Sequence, residues 1–289
     1  MPPALRALRA IGLLLLVLWV AVRAAIWAWP PSREAWSLLS IGPDQAVLLA
    51  RLSVSDSGFY RDQLTTRVYL LRPDGGVFEH RAMYAPTKIR EDGVASGLDS
   101  LEATAEGWEL RVAGDGAQAR AVLRGARPGC PGEAGELQGV MGTSVEGEGG
   151  DFGGERLEGR AVVIRTRAEG HVRGKALYVL GPDVVIVVEP LAVGCTAWGV
   201  VGGESWAGVA PVVEGAQGSL TVGPWQLELR PTATRVDSGA WPHLLGPERW
   251  LAAAVGQPEP TLRVQRLVVE VQRAGARLRS SAILLVRGE

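Results

Sequence analysis

Strand-like runs broken by tight turns recur along most of this chain, and that punctuation leaves few folds open. Leu64 to Arg72 and Val77 to Tyr84 flank Pro73-Asp74-Gly75-Gly76, the arrangement of a β-hairpin. Leu98 to Ala105 and Trp108 to Ala113 flank Glu106-Gly107, and Asp115-Gly116 turns the chain into Ala117 to Leu123. Trp108, Leu110 and Val112 alternate with Glu109 and Arg111, the period of a half-buried strand. Ala176 to Leu180 and Val184 to Glu189 form a third hairpin about Gly181-Pro182-Asp183. Its V-V-I-V-V run has no polar alternation, so both of its faces should be covered. Ser219 to Val222 and Trp225 to Arg230 follow as strands, and Leu262 to Arg273 pairs with Arg277 to Arg287. With no helical period between the hairpins, the reading is an all-β, antiparallel protein of two barrel-like or sandwich-like lobes.

Between the lobes the composition shifts. Residues 125–159 are dense in glycine and close on Glu146, Glu148, Asp151, Glu155 and Glu158, which reads as a linker or long loop. The acidic residues lack the D-x-D-x-D-G spacing of a Ca²⁺ loop. The expected organisation is therefore an anchor over 1–31, a first β lobe over 44–124, a linker over 125–159 and a second β lobe over 160–289. Two helical interruptions are expected, a turn at Arg33 to Leu39 and a short helix from Pro247 to the stop at Gly256. Tyr69-Leu70-Leu71-Arg72-Pro73-Asp74 and Tyr178-Val179-Leu180-Gly181-Pro182-Asp183 share a pattern. It fits either an internal duplication or the ordinary use of Pro-Asp to open turns.

Ala10 to Trp29 carries a single charge, Arg23. As a helix it would be about 30 Å long, the hydrocarbon thickness of a bilayer. Read as a retained transmembrane helix, it lets Arg23 snorkel and sets Trp27 and Trp29 at the headgroup level. Read as a signal peptide, its apolar run from Ala10 to Val22 is an h-region, with Val22-Arg23-Ala24 as a mediocre cleavage site. Arg6 and Arg9 precede the segment. The positive-inside rule then puts the N-terminus in the cytoplasm and the β body on the periplasmic side of an inner membrane, as a single-pass protein.

A net charge of −1 with scattered arginines argues against a nucleic-acid partner. The two cysteines, Cys130 and Cys195, form a disulfide candidate outside the cytoplasm, worth roughly 4 kcal/mol by loop entropy. Neither has a Cys or His at ligand spacing, and His80, His171 and His243 sit on separate elements. No metal and no cofactor are expected. Gly203-Glu204-Ser205-Trp206-Ala207, followed by Asp237 and His243, approaches the order of a serine hydrolase. Ala207 stands where the motif needs Gly, and no strand–helix elbow surrounds it, so the stretch reads as a turn in a β protein and no catalytic residue is assigned. The aromatic side chains are the better lead. Tyr69, Tyr84, Trp108, Tyr178, Trp198 and Trp206 are the candidate ligand-binding residues, because large flat rings beside small residues line apolar pockets.

Ser55-Asp56-Ser57-Gly58-Phe59-Tyr60, then Gln63, then a strand ending in Pro73-Asp74-Gly75, resembles the opening of a two-lobed lipocalin-like family. That family includes hydroxyneurosporene synthase, a carotenoid hydratase, and is similar in layout to the tocopherol cyclases. The resemblance implies two lipocalin-like β lobes and the handling of isoprenoid or other lipid molecules; it carries over no catalytic residue. The expected function is a membrane-anchored, outward-facing β protein that binds a lipid or isoprenoid. The alternatives are a non-catalytic interaction subunit with a cell-envelope protein partner, or a divergent lipid-modifying enzyme.

Overall fold

The structure, a computed structural model, describes residues 11–21, 32–41, 46–57, 60–72, 77–84, 87–90, 92–105, 107–114, 117–124, 127–131, 137–150, 156–169, 174–191, 193–239, 261–273 and 275–287. The Pro73–Gly76 and Asp115-Gly116 turns and the helix expected over Pro247 to Gly256 lie outside them. A helix covers 11–21 with its apolar side chains exposed. Among the described residues no helix is long and apolar enough to cross a membrane. Residues 22–29 of the expected span lie outside the description.

The rest is antiparallel β. The strands of a first sheet are β1 (Ser32–Ile41), β2 (Val47–Ser57), β3 (Tyr60–Leu71), β4 (Val77–Tyr84), β5 (Lys88–Arg90), β6 (Gly93–Ser96), β7 (Asp99–Thr104), β8 (Gly107–Gly114), β9 (Ala117–Arg124), β10 (Arg127–Pro131), β11 (Leu137–Gly150) and β12 (Arg156–Glu169). Their order is β4-β3-β2-β1-β12-β11-β9-β8-β7-β6-β5, with β10 paired to β11. A second sheet holds β13 (Lys175–Gly181), β14 (Val184–Pro190), β15 (Cys195–Val201), β16 (Glu204–Ala210), β17 (Gly218–Val222), β18 (Trp225–Gly239), β19 (Thr261–Arg273) and β20 (Ala276–Arg287), ordered β16-β15-β14-β13-β20-β19-β18-β17.

Both sheets follow one plan. Each is a run of hairpins whose first strand also pairs with its last, β1 with β12 and β13 with β20, so first and last strands sit in the middle. Each sheet curls so that side chains from its two halves touch across the inside. In the first, His80 on β4 reaches Asp99 on β7. In the second, the Trp206 ring on β16 meets Trp225 on β18 edge-on, centroids 6.3 Å apart.

Period-2 alternation divides the apolar side chains into three cores. Trp36, Leu48, Leu52, Val68, Leu110 and Ala121 fill the inside of the first curl. Leu177, Ile186, Val188, Trp225, Leu227 and Val269 fill the inside of the second. The opposite faces pack on each other: Leu39, Leu49, Tyr69 and Ile164 of the first sheet meet Tyr178, Val187, Trp198, Val264 and Ile283 of the second. Strand β14 is buried along its whole length. It supplies Val184, Ile186 and Val188 to its own core, and Val185 and Val187 to the junction.

Three expectations from the sequence change. Arg33 to Leu39 is strand β1 rather than a helical turn, because Trp36 and Leu38 fill one core while Leu39 and Ile41 fill another. The stretch read as a linker contains β10, β11 and the start of β12. Ladders to β9 and β12 on either side hold β11 in place despite its glycines. The first sheet therefore runs from Ser32 through Glu169, and the second begins at Lys175. The Tyr-x-Leu-x-Pro-Asp pattern falls at the end of the third strand of one sheet and the first strand of the other, so it does not trace the repeated topology.

Candidate functional site

The junction between the sheets is mostly apolar, and one cluster of buried charges spans it from sheet to sheet. On β2 the side chains of Leu48, Ala50 and Leu52 enter the first core, which sends Val47, Leu49 and Arg51 to the junction. There the Arg51 Nη1 donates to the Tyr178 hydroxyl at 2.7 Å, to Glu189 Oε1 at 2.9 Å and to Ser37 Oγ at 3.4 Å. Its Nη2 donates to Glu189 Oε2 at 3.3 Å, completing a forked pair. The Tyr178 hydroxyl donates to the same carboxylate. Arg51 and Glu189 are 7% and 2% exposed, so the charges are out of water.

Burial works against the Arg51 charge, but the attraction of Glu189 and then Tyr178 outweighs it, and the guanidinium is held above its ordinary value. Burial, joined by Glu189 and opposed by Arg51, pushes the Tyr178 phenol well up. Tyr178 is thus a neutral O–H donor throughout the physiological range. The Arg51 Nε is buried without a hydrogen-bond partner among the described residues, as is the Trp198 indole N–H in the same junction.

Arg51 is the inner end of a row. The register sets Arg67 on β3 opposite Arg51, and Arg81 on β4 opposite Arg67, so the three guanidiniums share the junction-facing side of the first sheet. Arg81 pairs with Glu79 at 3.1 Å, their side chains 29% and 27% exposed. The pair lacks hydrogen-bond geometry at Glu79 Oε1. Burial is the main reason the Arg67 guanidinium falls below its ordinary value. Arg51 and Arg81 add to that fall, while Tyr69 and Glu79 oppose it.

A second buried polar pair lies inside the first curl. His80 Nε2 and Asp99 Oδ2 are 3.1 Å apart, and Asp99 Oδ1 accepts the Ala113 N–H at 3.2 Å. It ties the end strand β4 to β7 and β8 across the curl. Among the described residues no group of His, Cys, Asp and Glu is placed to hold a metal ion. Ser205 lies on β16 opposite Val200 rather than on an elbow, and Asp237 is bound by Arg235 and Arg263; His243 lies outside the described residues.

Five of the six aromatic candidates divide among the three cores. Tyr69, Tyr178 and Trp198 come together in the junction. Trp108 packs on the first core and Trp206 on the second, and the Tyr84 side chain lies outside the description. Cys195 is a free, buried thiol at the second core, and burial pushes its pKa up. The side chain of Cys130, its candidate disulfide partner, lies outside the described residues. Sequence reasoning missed Arg51, Arg67 and Glu189. The signal was a charge interrupting an apolar strand: Arg51 after V-L-L-A, and Glu189 at the end of a run covered on both faces.

No family model and no curated sequence matches the chain. Among solved structures it is similar to CghA, at 10% identity over 89% of this chain and 88% of that one, with a TM-score of 0.53. It is also similar to kievitone hydratase from Nectria haematococca, at 9% identity over 88% of both chains, with a TM-score of 0.50. The shared feature is the fold, and the chain is an all-β, lipocalin-like protein.

Proposed function

We propose that this lipocalin-like protein binds an apolar ligand, a lipid or isoprenoid, at the junction of its two curled sheets. The observation that carries the reading is the Arg51–Tyr178–Glu189 cluster set between sheets whose facing cores are mostly apolar. Burying a charged pair costs several kcal/mol per ion before any return, and apolar residues would join the sheets as well. Perturbed buried groups of this kind gather where ligands are handled. Tyr69, Tyr178 and Trp198 supply aromatic surface beside the cluster.

A second reading, a lipid-modifying enzyme, is favoured by Tyr178. A phenol kept protonated by burial, with its one O–H now given to Glu189, would donate to a ligand oxygen by turning away from that carboxylate. One of the proteins sharing the fold is named a hydratase. We further propose that residues 10–29 tether the chain to the inner membrane with the β body on the periplasmic side; the apolar side chains exposed over 11–21 support a bilayer contact.

Mass spectrometry of molecules extracted from the natively purified chain tests the ligand reading. A stoichiometric apolar molecule is expected. No such molecule, together with no uptake of added carotenoid or fatty acid, would overturn it. Turnover of the extracted molecule that is lost in Tyr178→Phe, with binding kept, would decide for the enzyme. Carbonate extraction of membranes tests the tether, and release of the chain into the supernatant would exclude it.

A further inference from the structure

We propose that Arg67, with the free Nε of Arg51 beside it, is the seat of a carboxylate, so that the ligand of the junction is an amphiphilic acid rather than a neutral lipid. The proposal rests on the reading of the junction as the ligand site and adds the chemistry of the ligand's head.

Three guanidiniums stand in register, Arg51, Arg67 and Arg81. Two carboxylates answer them, Glu189 on Arg51 and Glu79 on Arg81. Arg67 forms no hydrogen bond or ion pair with a carboxylate among the described residues, which leaves one positive charge over. Adjacent like charges without a counter-ion are costly in a partly buried place, and their energy falls when an anion enters. Among the described residues of this row the excess is a single charge, which matches a carboxylate monoanion. A guanidinium presents a planar fork that a carboxylate fills with two hydrogen bonds. The Arg51 Nε, buried and without a partner, is an additional donor at the inner end of the row. The row is also graded: side-chain exposure is 29% at Arg81 on the edge strand and 9% at Arg51. An acid arriving at the β4 edge meets positive charge from rim to interior, while its tail lies along Tyr69 and Trp198.

Equilibrium dialysis of the full purified chain against labelled oleate, oleyl alcohol and acetate tests this. Oleate is expected to bind at least about tenfold more tightly than oleyl alcohol, as a charge-assisted hydrogen bond would supply, and acetate to bind too weakly to detect. Arg67→Met should bring oleate down to the affinity of the alcohol while leaving the alcohol unchanged, which also shows that the variant is folded. Arg81→Ala, at the rim, should weaken oleate only a few-fold. Equal affinity for acid and alcohol would overturn the carboxylate seat and leave the apolar-ligand reading standing. Binding of neither tailed probe would overturn both. Acetate binding as tightly as oleate would overturn the amphiphile in favour of a small-anion site.

Discussion

Glu189 accepts from two buried donors, Arg51 and Tyr178, in a place where water cannot stand in for it. Glu189→Ala should therefore cost about 3–5 kcal/mol, the penalty of stranding a buried charge, measured as the shift in the urea midpoint at constant slope. At the outer face of the first sheet the balance is different. Glu109 accepts from Arg111 Nε at 2.6 Å and from Arg120. The Arg111 hydrogen bond, opposed by burial and helped by Arg120, lowers its pKa from 4.5 to about 2. A folded-state pKa below the unfolded one means that the unfolded chain takes up the proton first as the pH falls. The stabilisation is complete above about pH 4.5 and is lost between there and about pH 2. Thermal midpoints measured across that window should fall less steeply for Glu109→Gln than for the parent chain. Neither carboxylate was legible in the sequence as anything but a strand residue. Alternation says which face a side chain takes, but the partner of Arg51 is 138 positions away, and only tertiary structure brings it near.

The hairpins are the elements that the sequence shows best, because a turn and its two arms are local. Val222 pairs with Trp225 across Gly223-Pro224, and Gly223 has φ +55°, which suits a glycine-first hairpin turn. A methyl group there would also meet the Trp206 indole. Gly203, in the turn before β16, has φ +84° with open space about it. Gly203→Ala should cost about 1–2 kcal/mol for the backbone alone. Gly223→Ala should exceed it by about 1–3 kcal/mol for the overlap with the ring. Equal losses in chemical denaturation would show that Trp206 does not cap the second curl. The elements that were misread are those whose neighbours are distant. β1 reads as a helical turn by itself, and becomes a strand because β2 and β12 bond it on both sides. β11 reads as a linker for its glycines, and becomes a strand for the same reason.

At the scale of the molecule, two sheets of one topology are joined back to back, and the junction has to serve both cohesion and whatever the chain binds. Those roles separate by substitution. If the cluster existed for cohesion, removing all of it would weaken the protein as removing one member does. Buried ion pairs replaced whole by apolar residues of similar volume are instead neutral or stabilising, by as much as about 1–4 kcal/mol. The triple variant Arg51→Met, Tyr178→Phe, Glu189→Leu should accordingly unfold at a urea midpoint equal to or above that of the parent, whereas Glu189→Ala alone falls well below it. The shared core that runs from Leu49 and Ile164 to Val187 and Ile283 should keep both sheets melting together. Far-ultraviolet dichroism and tryptophan fluorescence should then report one transition. The same triple variant should lose the apolar molecule that purifies with the parent chain. A stable junction that no longer holds a ligand would assign the three polar residues to binding. A triple variant as unstable as Glu189→Ala would return them to structure and remove the main support for a ligand site between the sheets.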